Sequence, residues 1–274
     1  MSFQPINDDH AIQSATVAIG LARPLSWTTI ETIIKSPLDW RRDLPAIEFP
    51  QLADIQINPQ TGSPIGRMTR GVEFSHKRPD GSASWLLSVI GTEIKTITTI
   101  YTRWKPTWEK AGDILIGVAE QLALAEKDNG NSISGVSLLV TDVFLTEDQN
   151  PDYSELFART DDIPAAVFRR GKIWHAHSGW FDQRSSGSIL NHLNIEAKTG
   201  ADEMSPIGAP EDRLRVVVQH NQIYRPQTPI AFKPPVDALI DALSTEVPLM
   251  HDKNKSLVAS LLTETMQNRI KIKD

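Results

Sequence analysis

Apolar and polar positions cluster, alternate and space out along the chain, and each pattern marks an element. Residues 15–22 (ATVAIGLA) are small, β-branched and apolar, as a buried strand requires, and Pro24 closes the run. Ser26 is placed to cap a short helix over 27–35, where Ile30, Ile33 and Ile34 share a face. Pro37, Pro45, Pro50, Pro59 and Pro64 then break up a long connection, expected to pack on the surface or serve as a site. From Gly71 the period becomes two. Val72, Phe74 and His76 alternate, Asp80-Gly81 and Gly91-Thr92 carry turn chemistry, and Ile94, Thr96 and Thr98 oppose Ile97 and Thr99. These segments predict a three-stranded meander over 71–101.

The period then lengthens to that of a helix. Trp104, Trp108, Ala111, Leu115, Val118 and Leu122 fall on one face, with Pro106 tolerated in the first turn, and this stripe is expected to bury against the meander. Residues 134–145 (SGVSLLVTDVFL) form the strongest strand pattern of the chain. A short helix over 153–157, strands over 165–180, 188–197 and 213–224, and helices over 236–243 and 248–270 follow. The predicted class is α+β: two similar halves, each an antiparallel β-meander packed against helices. Residues 1–14 read as a flexible tail, 15–150 as an N-terminal half and 151–274 as a C-terminal half, forming one compact unit.

Composition narrows the function. Hydrophobic residues are 40% and charged residues 23% of the chain, enough to bury a sizeable core. The net charge of −6 argues against nucleic acid as a partner, because that binding rests on cations facing phosphates. The one basic patch is Arg67, Arg70, Lys77 and Arg78 on a predicted hairpin, the candidate surface if nucleic acid is bound at all. There is no cysteine, which excludes a disulfide framework and a thiolate metal site. No apolar leader and no run of ~18 apolar residues occurs, so a cytoplasmic protein without a membrane partner is expected.

One constellation has metal-ligand character. His175 and His177 are two apart on a predicted strand and so share a face, and His192 and His220 lie on the next two strands. If the registers agree, three or four imidazoles meet, with Asp182 or Glu196 to add oxygen. A one-residue slip sends any of them to the other face. No phosphate loop, dinucleotide fingerprint, nucleophile elbow or zinc-protease motif is present.

The order of elements resembles a known family. The shared features are the strand pair around Asp80-Gly81, then Tyr101 and Trp104 with the helix it opens, the apolar strand 136–145, and a closing helix with Met250-His251 and Leu261-Leu262-Thr263. The family is sporadically distributed in bacteria and archaea, of similar length, conserved and without an established activity. The chain departs from it at Val140-Thr141-Asp142-Val143, where relatives carry an Arg-Tyr-Asn-like stretch. The resemblance implies the fold; the family brings no established substrate or cofactor, and no cofactor is expected. The expected function is a non-catalytic binding or protein-interaction module, as part of an accessory or defence-related system, whose partner is another protein or a small ligand. The alternatives are a metal-dependent enzyme using the histidines and a nucleic-acid-binding protein.

Overall fold

A computed structural model describes residues 2–7, 9–57, 64–169, 171–200 and 213–272. The first half contains β1 (Gln4–Pro5), β2 (Ile12–Leu21), α1 (Trp27–Lys35), β3 (Ala46–Glu48), β4 (Gln51–Ile57), β5 (Pro64–Arg70), β6 (Val72–Lys77), β7 (Ala83–Ile90), β8 (Glu93–Thr98) and α2 (Trp104–Glu126). The second contains β9 (Ser132–Thr146), β10 (Trp174–Arg184), β11 (Gly187–Thr199), β12 (Leu214–Pro226), β13 (Ile230–Ala231), α3 (Asp237–Leu261) and α4 (Glu264–Arg269). Eleven strands make one antiparallel sheet with the order β10-β11-β12-β9-β2-β8-β7-β6-β3, and β1 and β13 attach to β9. The class is therefore α+β.

Local chemistry explains these elements. The Ser26 side chain accepts a hydrogen bond from the Thr29 amide at 3.1 Å and so caps α1. Both meanders, β6-β7-β8 and β10-β11-β12, are antiparallel throughout. Their tight turns use glycine where φ is positive, at Gly81 (85°) and Gly91 (60°) in the first meander.

The register gathers the strand residues of the two main apolar clusters on one face of the sheet. Ile19 faces Ile94 and Val17 faces Leu138, while Val218 faces Ile195. Two apolar clusters form on that face. One joins α1, α2 and the first half of α3 to β2, β6, β7, β8 and the first half of β9. The other joins Phe3, Tyr153, Phe157 and the end of α3 to Phe144 and the strands β10, β11 and β12. Phe74 is fully buried in the first cluster, with the Trp40 ring edge-on at 5.1 Å. Phe74→Ala is expected to lower stability by ~3–5 kcal/mol, read by urea unfolding.

Four expectations need correction. The N-terminal segment is no loose tail: Phe3 is fully buried and Gln4 and Pro5 pair with Leu145 and Phe144, because an apolar side chain there completes the second cluster. The proline-rich connection builds the β4–β5 hairpin and the edge strand β3 between its prolines. The strand expected over 165–180 starts only at Trp174, after a short 3₁₀ turn at Val167–Arg169. The two closing helices are one, α3, with Pro248 inside it; burial of Val247 and Met250 on the sheet offsets the lost hydrogen bond.

Candidate functional site

Between the two apolar clusters lies a polar gap, and its floor is Asp142. On β9 the helix-facing positions are Val136, Leu138, Val140, Asp142 and Phe144. Val140 belongs to the first cluster and Phe144 to the second, so Asp142 sits on the central strand at the boundary. A cavity of about 870 Å³ opens above it. Four distant segments wall this cavity: Ile6, Asn7 and Asp9 to Ile12 from the β1–β2 turn, Tyr101 to Lys105 at the start of α2, His251, Asn254, Lys255 and Val258 from α3, and Ile270 to Ile272.

The Asp142 residue is 4% exposed, and its carboxyl makes no hydrogen bond or ion pair among the described residues. Burial pushes its pKa from 3.8 up to about 7. Tyr101 rises to about 12, first because it is buried and then because the Asp142 charge lies nearby, so its hydroxyl stays a donor. The Tyr101 and His10 rings meet edge to face at 5.3 Å. Trp104 stacks on His251 at 4.1 Å, and burial pushes the imidazoles of His10 and His251 downward. Trp104 and Trp108 are only half-buried: their stripe edges the first cluster and its Trp104 end forms cavity wall.

Around the mouth the cations are Arg103, Lys105, Lys255 and Lys271, against the carboxyls of Asp9 and Asp142. Lys271 pairs with Asp9 at 2.9 Å, which lowers the Asp9 pKa. Arg103 is the N-cap of α2 and makes no side-chain cap, and the first turn of α2 has no acid. The positive end of this 23-residue helix therefore opens toward the cavity.

A chain of polar side chains backs the α3 wall. Lys253 pairs with Asp182 (2.7 Å), Asn191 bonds to Asp182 (3.2 Å), His220 meets Asn191 (3.3 Å), and His220 meets Asn254 (3.1 Å) at the cavity. Trp180 stacks on His220 at 5.8 Å. Burial lowers the His220 pKa to about 4, against the Asn254 hydrogen bond, which raises it.

The four candidate metal ligands do not converge. His220 opposes Val140 and Leu193 on the helix face. His175, His177 and His192 point the other way, and only His177 and His192 come close, at 6.3 Å between ring centroids. His192 stands opposite Gly179, four residues along β10 from His175 and so ~13 Å away. Among the described residues no group of three or more His, Asp or Glu is placed to hold a metal ion. A His220→Gln variant is accordingly expected to purify with the same zinc content as the parent, read by elemental analysis.

The basic patch is absorbed locally. Arg70 lies over the Trp27 ring at 3.9 Å, Lys77 pairs with Glu48, and Arg78 donates to the Thr99 carbonyl (3.0 Å) and hydroxyl (2.8 Å). The side chain of Arg67 lies outside the described residues. No family model and no curated protein matches this chain. Among the described residues no helix is long and apolar enough to cross a membrane.

Proposed function

We propose that the protein is a non-catalytic binding protein whose site is the cavity over Asp142. The observation that carries this reading is an acid, 4% exposed on the central strand, that lines the cavity and has no hydrogen-bond or ion-pair partner among the described residues. A protein gains nothing structural from it, whereas a ligand that donates to it regains the lost hydrogen bonds. The volume suits a small organic molecule, since such sites run ~300–1,000 Å³. We also read the two halves as one unit used twice. The strand orders β2-β8-β7-β6 and β9-β12-β11-β10 support this, meeting where β2 pairs with β9 and the cavity lies.

Native mass spectrometry of the full chain tests the reading. A small-molecule adduct, retained from the cell or taken up from a metabolite extract, is expected on the parent and absent from Asp142→Leu. Equal adducts on both would remove the site.

A second reading is favoured by one observation. An acid poised at about 7 in a cavity is suited to proton transfer. Chemical conversion of the bound molecule, lost in Asp142→Asn, would replace binding with catalysis.

A further inference from the structure

We propose that the ligand of the central cavity is a mononucleotide, with its base turned to Asp142 and its phosphate to the N-terminus of α2. This rests on the cavity reading above and adds the chemistry of the two ends. The floor needs donors. Asp142 offers two oxygens in one plane and has no hydrogen-bond or ion-pair partner among the described residues. A nucleobase edge carries an amino or ring N–H donor beside a second polar atom, and so matches a carboxyl in two-point contact. An ionised carboxylate fits guanine, which presents two donors. A protonated one offers a donor and an acceptor, and fits the edges of adenine or cytosine.

The mouth needs an anion. The amides that the start of α2 can offer are those of Trp104 and Lys105, because Pro106 has none and Thr107 donates to the Arg103 carbonyl; neither has a side-chain cap from Arg103, and the Arg103 and Lys105 side chains line the cavity beside them. Backbone N–H groups at a helix start, aided by the helix dipole and nearby cations, form a ready phosphate site. The buried, unpartnered Asp142 in the same cavity is the independent sign that a ligand belongs there. A simple anion would satisfy the mouth and leave the floor unpaired, and a simple amine would do the reverse. A molecule with a hydrogen-bonding heterocycle at one end and phosphate at the other satisfies both. Tyr101 and His10 also line the cavity and supply aromatic surface, the kind on which bases stack.

Isothermal titration of the full chain with GMP, AMP, CMP, UMP, guanosine and inorganic phosphate tests this. At least one monophosphate is expected to bind about tenfold or more tightly than inorganic phosphate, and than guanosine where GMP is the binder. Arg103→Ala should weaken that nucleotide about tenfold, and leave the nucleoside unaffected where the nucleoside binds measurably. Asp142→Asn should change which base is preferred, because it alters the donor pattern on the floor. Nucleotides that bind no better than inorganic phosphate, or a base preference untouched by Asp142→Asn, overturn the proposal. An Asp142-dependent adduct in mass spectrometry that contains no nucleobase ends the nucleotide proposal and keeps the cavity as a site. No adduct and no nucleotide binding ends both.

Discussion

Asp142→Asn is expected to stabilise the protein at pH 8 by up to about 4 kcal/mol and to change little near pH 4. The carboxyl titrates near 3.8 in the unfolded chain and at about 7 in the folded one. Between these values the folded protein holds a proton that the unfolded chain has released, so stability falls as pH rises through that window. The full contribution is present below about 3.8 and is gone above about 7. Asparagine has nearly the same shape and no charge to bury, so the variant has no such slope. At pH 8 the gain corresponds to roughly 10 °C in melting temperature for a chain of this size. Urea unfolding at pH 4, 6 and 8 reads it directly. Parallel pH profiles for parent and variant would show that the carboxyl is solvated or paired after all. A stabilising change on the floor of a binding cavity is what a functional residue predicts, because such residues are kept for the ligand at a cost in stability.

Much of the fold was legible because its signals are local. Alternation from Val72 to Thr98 marked the first meander, Ser26 marked the start of α1, and the stripe from Ala111 to Leu122 marked the buried face of α2. Pro248 misled because propensity treats proline as a stop, while α3 is held by burial on either side of it. The histidine cluster failed on register. His192 and His220 lie on paired strands, yet their parity sends them to opposite faces, and only pairing partners decide parity. The cavity was not legible, since its walls come from four segments up to some 260 residues apart whose meeting is a property of the assembled fold. One signal was present. Asp142 interrupts the apolar run Val136, Leu138, Val140 and Phe144 on one face of β9, and an acid at a core position asks for a reason.

His220→Gln is expected to make the protein less sensitive to acid and thereby uncover the Asp142 slope. Neutral His220 is held by burial, and its pKa falls from 6.5 to about 4. The unfolded chain takes up a proton first on acidification. His220 therefore contributes stability that is full above about 6.5 and is lost as pH falls through about 4, worth about 3 kcal/mol. Asp142 acts with the opposite sign over nearly the same range. In the parent the two slopes offset each other between pH 4 and 7. Asp142→Asn should then lose about 3 kcal/mol from pH 6.5 to 4 beyond any loss of the parent, and His220→Gln should lose about 3 kcal/mol from pH 4 to 8 beyond it. Other titrating groups cancel in these differences. The double variant should regain the flatness of the parent. Asp142 opposes Val218 and His220 opposes Val140, so the two are diagonal neighbours on one face and a coupling of ~0.5 kcal/mol or more is expected. A double variant as steep as either single one would mean that the two groups do not oppose each other in the folded protein.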